Sequence, residues 1–209
     1  MAEILRKNID NDTTYAVWHI TESADELRPA ICLREEEEKL YGEFVAESRK
    51  KQWLAYRILV RDLLKPLDYP VEYDPVGRPY LAGSDFHISV THSGDLAAVI
   101  ISRRKVGIDL EQVRSRIEKV RHRFINDTEL GMIKEDTALE QMTLVWCAKE
   151  ALYKYFGKRA LDFRDHMCVE VPGRAGGPFN AEIRFEGLTA RYRLFSEKIG
   201  DSILVYLVD

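Results

Sequence analysis

Apolar residues recur at helical spacing in two long stretches of the 209-residue chain. From Ser48 to Leu64, the residues Trp53, Leu54, Ile58, Leu59, Leu63 and Leu64 fall on one side of a helix, which Pro66 ends. From about Leu139 to Phe156, the residues Leu144, Val145, Leu152, Tyr153 and Phe156 carry a second helix, closed by Gly157. A shorter helix is predicted from Arg34 to Phe44, where the solvated acidic start Glu35, Glu36, Glu37 and Glu38 leads into Leu40, Tyr41 and Phe44. Strand patterns cover Tyr15 to Ile20, Val71 to Tyr73, Leu96 to Ile101 and Val106 to Glu111. Four more follow the second helix, at Met167 to Val171, Phe179 to Phe185, Ala190 to Phe195 and Ser202 to Val208. Asn126-Asp127-Thr128-Glu129 has the form of a capping box, and the polar opening residues are expected to be loose.

The order of one helix followed by several strands occurs twice, from Ser48 to Ile101 and from Leu139 to Val208. This predicts an α+β protein of two similar halves, residues 1–104 and 105–209, although no residue-level repeat is visible. An apolar content of 45% is enough for a substantial core. The net charge of −4 argues against general nucleic-acid binding, which relies on a basic excess. Cys32, Cys147 and Cys168 have no metal-ligand spacing, and the chain shows no signal peptide or long apolar run, so a cytoplasmic protein with reduced thiols and no membrane contact is expected. A monomer is expected as well. Cys147 reads as a small packed residue, because no His or Asn is placed to activate it.

Candidate chemistry sits in the second helix and in the strand before it. Glu150 and Lys154 stand one helical turn apart and project from one face; alone they would read as an ordinary surface ion pair. In the strand Val106 to Glu111, Asp109 and Glu111 share a face. Neighbouring carboxylates repel unless a cation lies between them, and hard oxygen donors with a helix carboxylate nearby suit Mg2+.

Together these stretches resemble the signature of the phosphopantetheinyl transferases. That signature is a Gly-Ile-Asp-x-Glu strand and, about forty residues later, Trp-x-x-Lys-Glu-Ala-x-x-Lys on a helix. Here they are Gly107-Ile108-Asp109-Leu110-Glu111 and Trp146-Cys147-Ala148-Lys149-Glu150-Ala151-Leu152-Tyr153-Lys154. The larger single-chain branch, similar to the surfactin-synthetase activating enzyme, is the better match. The resemblance implies two pseudo-duplicated halves, each a helix with an antiparallel sheet, holding coenzyme A between them. It implies attack of a serine of an apo acyl or peptidyl carrier protein on the β-phosphate of coenzyme A, in fatty-acid, polyketide or nonribosomal peptide synthesis. Asp109, Glu111 and Glu150 would hold Mg2+, Glu150 would also act as general base, Lys154 would neutralise the pyrophosphate and Lys149 would add positive potential.

The resemblance extends to coenzyme A contacts in the first half. Arg57, in the context Ala55-Tyr56-Arg57-Ile58-Leu59, corresponds to an arginine that contacts phosphate. In the turn Gly77-Arg78-Pro79, Arg78 replaces a lysine that embraces the nucleotide. Thr91-His92-Ser93-Gly94 resembles a phosphate-binding Ser-His-Ser-Gly, with Thr91 where the first Ser stands and two extra residues or a shifted register in the run from Phe86. The acidic run Glu35 to Glu38 departs from members that grip the 3′-phosphate with basic residues there, so Arg49, Lys50 or Arg57 would have to replace them and tolerance of dephospho-coenzyme A would differ. Arg114, Arg116, Lys119, Arg121 and Arg123 form a local basic patch suited to an acidic carrier, the bland alternative being a solvated charged helix. Competing readings are an Mg2+-dependent nucleotide phosphohydrolase and a carrier-binding protein without turnover.

Overall fold

Long-range antiparallel pairing turns these local patterns into two units, Met1–Arg104 and Lys105–Asp209. The structure is a computed structural model that describes residues 3–157 and 160–209. The first unit holds strands β1 (Glu3–Asn8), β2 (Thr13–His19), β3 (Val71–Tyr73), β4 (Pro79–Leu81), β5 (His87–Ser93) and β6 (Leu96–Ser102). Its sheet runs β1-β2-β6-β5, with β3 and β4 as a separate hairpin. Residues 1 and 2 of the polar opening lie outside the described residues, and residues 3–8 are not loose: β1 borrows its order from β2, with Lys7 opposite Tyr15 and Asn8 opposite Thr14. Strand β6 is buried along its whole length, as a nearly continuous apolar run requires when both faces are covered.

Helix α1 (Ala24–Leu27) is opened by a Ser23/Glu26 capping box, and α2 (Glu35–Gly42) begins where Glu37 accepts from the Arg34 amide at 2.9 Å. The long helix α3 (Glu47–Leu64) buries Trp53, Leu54, Leu59 and Val60 in a core shared with Trp18, Val99 and Ile101.

The second unit holds β7 (Val106–Gln112), β8 (Met167–Val169), β9 (Gly177–Phe185), β10 (Leu188–Ile199) and β11 (Ser202–Val208) in the spatial order β7-β11-β10-β9-β8. Between β7 and the long helix α6 (Ala138–Phe156) lie two short helices, α4 (Arg116–Val120) and α5 (Asp127–Met132). The capping box read from sequence opens α5: Asn126 and Glu129 each accept the other's backbone amide at 2.9 Å. Helix α6 ends on Gly157, whose φ of 76° is a left-handed conformation that glycine adopts without strain. Leu144, Val145, Ala148 and Leu152 of α6 share a core with Ile203, Val205 and Leu207 of β11. The α+β class and the antiparallel sheets agree with the expectation from sequence.

Candidate active site

Strand β7 alternates, so Gly107, Asp109 and Glu111 share the face over which α6 passes. Gly107 makes that passage possible. A Cβ at position 107 would lie 2.1 Å from the carbonyl oxygen of Ala151 and 3.0 Å from Leu207, so only glycine lets the helix backbone come this close. The contact point Ala151 is the residue after Glu150, and Lys154 lies one turn beyond Glu150. The Lys154 ammonium donates to Asp109 Oδ1 at 2.8 Å and to the Ile108 carbonyl at 3.0 Å. Asp109 is 4% exposed, whereas Glu111, Glu150 and Lys154 are half-buried.

Glu150 feels both its burial and its neighbours. Desolvation raises its pKa first and the Asp109 carboxylate second; Lys154 opposes them and Glu111 adds a smaller push, so the carboxyl is held at about 7. Among the described residues, no group of three His, Cys, Asp or Glu stands close enough to hold a metal ion as arranged. The donor chemistry nevertheless fits Mg2+: Asp109, Glu111 and Glu150 offer only hard oxygens, and their mutual repulsion is what a divalent cation relieves.

Two residues assigned from sequence to the ligand site have internal partners. Lys149 lies in the interior of its unit. It is fully buried, and its ammonium donates to Glu129 Oε2 at 2.7 Å and to the carbonyls of Phe124, Phe163 and Met167 at 2.6, 2.8 and 3.1 Å. Those acceptors use all three donors of an ammonium. Arg57 is likewise internal at 2% exposed, paired with Glu37, donating to the Val71 carbonyl at 3.3 Å and stacked 4.0 Å from the Trp53 ring centroid. Its two terminal nitrogens donate within the core, to Glu37 and to the Val71 carbonyl.

The first unit's other candidate residues lie in the turn between β3 and β4, along β5 and on the first turn of α3. Arg78 is held within its own turn by Asp74, at 2.8 Å through Nε and 2.7 Å through Nη2. Thr91 is buried in β5, while His92 and Ser93 are half-buried at its end, where Ser93 pairs with Leu96 across the hairpin. Arg49, exposed on the first turn of α3, reaches His92 Nε2 at 3.1 Å, and Gln52 donates to the Gly94 carbonyl at 3.0 Å. Cys147 is buried, its thiol pKa pushed well up chiefly by desolvation, in keeping with a packing role.

Sequence reasoning missed the close approach at Gly107, the internal partner Glu129 and the tie between Arg49 and His92. A glycine inside a strand is itself a signal of close backbone approach, and it could have identified the first of these. The other two depend on contacts between distant segments.

The site thus rests on a Gly-x-Asp-x-Glu strand beneath a helix that carries a Glu and a Lys one turn apart. Residues 105–207 match the family model described as the 4′-phosphopantetheinyl transferase superfamily, so the second unit carries that superfamily's pattern. The chain is 30% identical over 119 residues to 4′-phosphopantetheinyl transferase AcpT of Salmonella typhi, a match covering 54% of this chain and 62% of that protein. It is 25% identical over 168 residues to a 4′-phosphopantetheinyl transferase of Bacillus subtilis, covering 66% and 75%. With enterobactin synthase component D of Salmonella austin it shares 31% identity over 114 residues, covering 53% and 49%. The first and last of these matches therefore span less than two thirds of the relative's length.

Proposed function

We propose that this chain transfers the 4′-phosphopantetheine group of coenzyme A to a serine of an apo acyl or peptidyl carrier protein. The observation that carries this reading is the arrangement of Glu150 and Lys154 over Asp109, with the Glu150 carboxyl held at about 7. A carboxylate titrating near neutrality is matched to removing a proton from a hydroxyl, provided the hydroxyl comes within hydrogen-bond reach. The serine oxygen bonds to the β-phosphorus as the bond to the bridging oxygen breaks; Glu150 keeps the proton and adenosine 3′,5′-bisphosphate departs. Lys154, now on Asp109, turns part of its donor set to the leaving phosphate and stabilises its charge. Asp109, Glu111 and Glu150 would hold Mg2+, which supplies neutralising charge to the pyrophosphate when bound.

In the same reading the coenzyme A contacts of the first unit shift from Arg57 to Arg49, His92, Ser93 and the Arg78 turn, with Thr91 acting through the backbone of β5. Arg114, Arg116, Lys119, Arg121 and Arg123 are all exposed and form the surface for an acidic carrier. Among the described residues no helix is long and apolar enough to cross a membrane.

The deciding experiment is incubation with coenzyme A, Mg2+ and a panel of apo carriers, read by intact mass. Gain of one phosphopantetheine on a carrier, with release of the bisphosphate, is the expected result. Coenzyme A consumed without any carrier would favour the phosphohydrolase, and tight carrier binding without mass gain would favour a protein that has lost turnover.

A further inference from the structure

The motif lysine beside Glu150 is engaged in the interior, and what it engages suggests its use. At about 100° per residue around a helix, Trp146, Lys149 and Tyr153 form one stripe of α6, next to the stripe of Glu150 and Lys154. Trp146 packs against Phe124 and Phe163 at centroid distances of 5.1 and 5.6 Å, and Tyr153 packs against Phe163 at 5.6 Å. Lys149 donates to the carbonyls of the same two residues, Phe124 and Phe163. Its carboxylate partner Glu129 also accepts from the Asn126 amide at 2.9 Å and from the Val169 amide at 2.8 Å. Asn126 in turn donates to the Met167 carbonyl at 3.2 Å.

This junction joins four segments: α6, the end of the basic stretch at Phe124, the start of α5 and the entry to β8. Both members of the ion pair have no exposure, so each charge depends on the other and on these amides and carbonyls. On the other flank of the Glu150 stripe, α6 is seated by Ala151 against Gly107. A helix held on one flank only could still roll about its axis; held on both, it cannot.

We propose that Lys149 is a positioning residue: with Glu129 it fixes the roll of α6 and so the direction in which Glu150 and Lys154 face Asp109. This deepens the transferase reading and rests on it. The role needs a buried cation with several donors, and a methionine of similar length would fill the space without supplying them.

The test compares Lys149→Met, Glu129→Gln and the double variant with wild type. Turnover is scaled to the folded fraction, and hydrogen exchange is followed in residues 121–129, 150–156 and 160–169. Expected is a fall of about tenfold or more in kcat for both single variants, with the KM for coenzyme A nearly unchanged and faster exchange in 150–156. The double variant should lose little more than either single one, because both changes break the same junction. A rise in the KM for coenzyme A with Lys149→Met, while Glu129→Gln behaves as wild type, would overturn the proposal and return Lys149 to the ligand. Lower melting temperatures with unchanged kcat would overturn it too. If Lys149→Met does not fold, Glu129→Gln decides alone by the same criteria. Should wild type itself transfer nothing, the functional reading fails, and exchange still judges the junction: unaltered protection of 150–156 in both variants overturns the proposal.

Discussion

Helices α3 and α6 are close in length, at 18 and 19 residues, each is the long helix of its unit, and each has a buried cation paired with a glutamate. In α3 it is Arg57, paired with Glu37 of α2; in α6 it is Lys149, paired with Glu129 of α5. The difference lies in what stands beside the buried cation. Next to Lys149 are Glu150 and Lys154, brought down onto Asp109 by the missing Cβ of Gly107. Next to Arg57 are Tyr56 and Ile58, both buried, and the polar end of α3 that reaches His92 is two turns away at Arg49. One helix places chemistry directly against its sheet, and the other keeps its chemistry at its first turn.

The largest effect is expected at Glu150. Glu150→Gln should lower transfer by a factor of about 10² to 10⁴, the usual worth of a positioned general base. The same change should stabilise the metal-free protein at alkaline pH. The Glu150 pKa is raised from 4.5 to about 7, so the folded state holds that proton more tightly than the unfolded state, and stability falls as pH rises through this window. The Gln variant is free of this penalty. In chelator its melting temperature should exceed that of wild type above pH 7 and converge with it near pH 4.5, and parallel curves across the range would show that Glu150 does not carry the raised pKa.

Arg57→Leu should cost about 3 kcal/mol in denaturant melts, because it leaves Glu37 buried with, among the described residues, the 3.3 Å contact to Arg61 as its cationic partner. Coenzyme A affinity of the folded variant, measured by calorimetry, should stay near that of wild type; a large loss would restore Arg57 to the ligand site. Gly107→Ala should cost about 1–3 kcal/mol and lower turnover, since the helix must lift to admit the methyl group. Gly131→Ala is the matched control: a Cβ there meets nothing within 4 Å, so equal losses in the two variants would discount the close approach.

The smallest effect concerns the exposed patch that follows β7. Reversing Arg116 and Arg121 to Glu should raise the KM for an acidic carrier and flatten its dependence on salt, leaving coenzyme A kinetics alone. Such steering is screened beyond roughly 8 Å at physiological ionic strength. Wild-type carrier kinetics in the double variant at low salt would move the docking surface elsewhere.

How much of this was legible in the chain depends on distance along it. The two long helices, the fully apolar run of β6 and the Asn126/Glu129 capping box are local patterns, and all appear where periodicity and capping chemistry put them. The strand of Asp109 and Glu111 and the helix of Glu150 and Lys154 were likewise readable as separate pieces. The order of β1 was not, because a polar strand is held by its pairing to β2 rather than by its own pattern. The inward direction of Lys149 and Arg57 was not readable for a related reason: on a helix an inward cation and an outward one have the same spacing.

The elements, the α+β class and the residue types of the candidate site follow from the order of amino acids, because propensity, periodicity and capping act over a few residues. Which charges face outward was settled by packing between distant segments. Burying Lys149 or Arg57 is tolerable only when a carboxylate from another segment arrives with it, and Glu129 and Glu37 lie 20 residues away in sequence in each case. The meeting of Lys154 with Asp109 across 45 residues is of the same kind, set by how closely one backbone can approach another at Gly107.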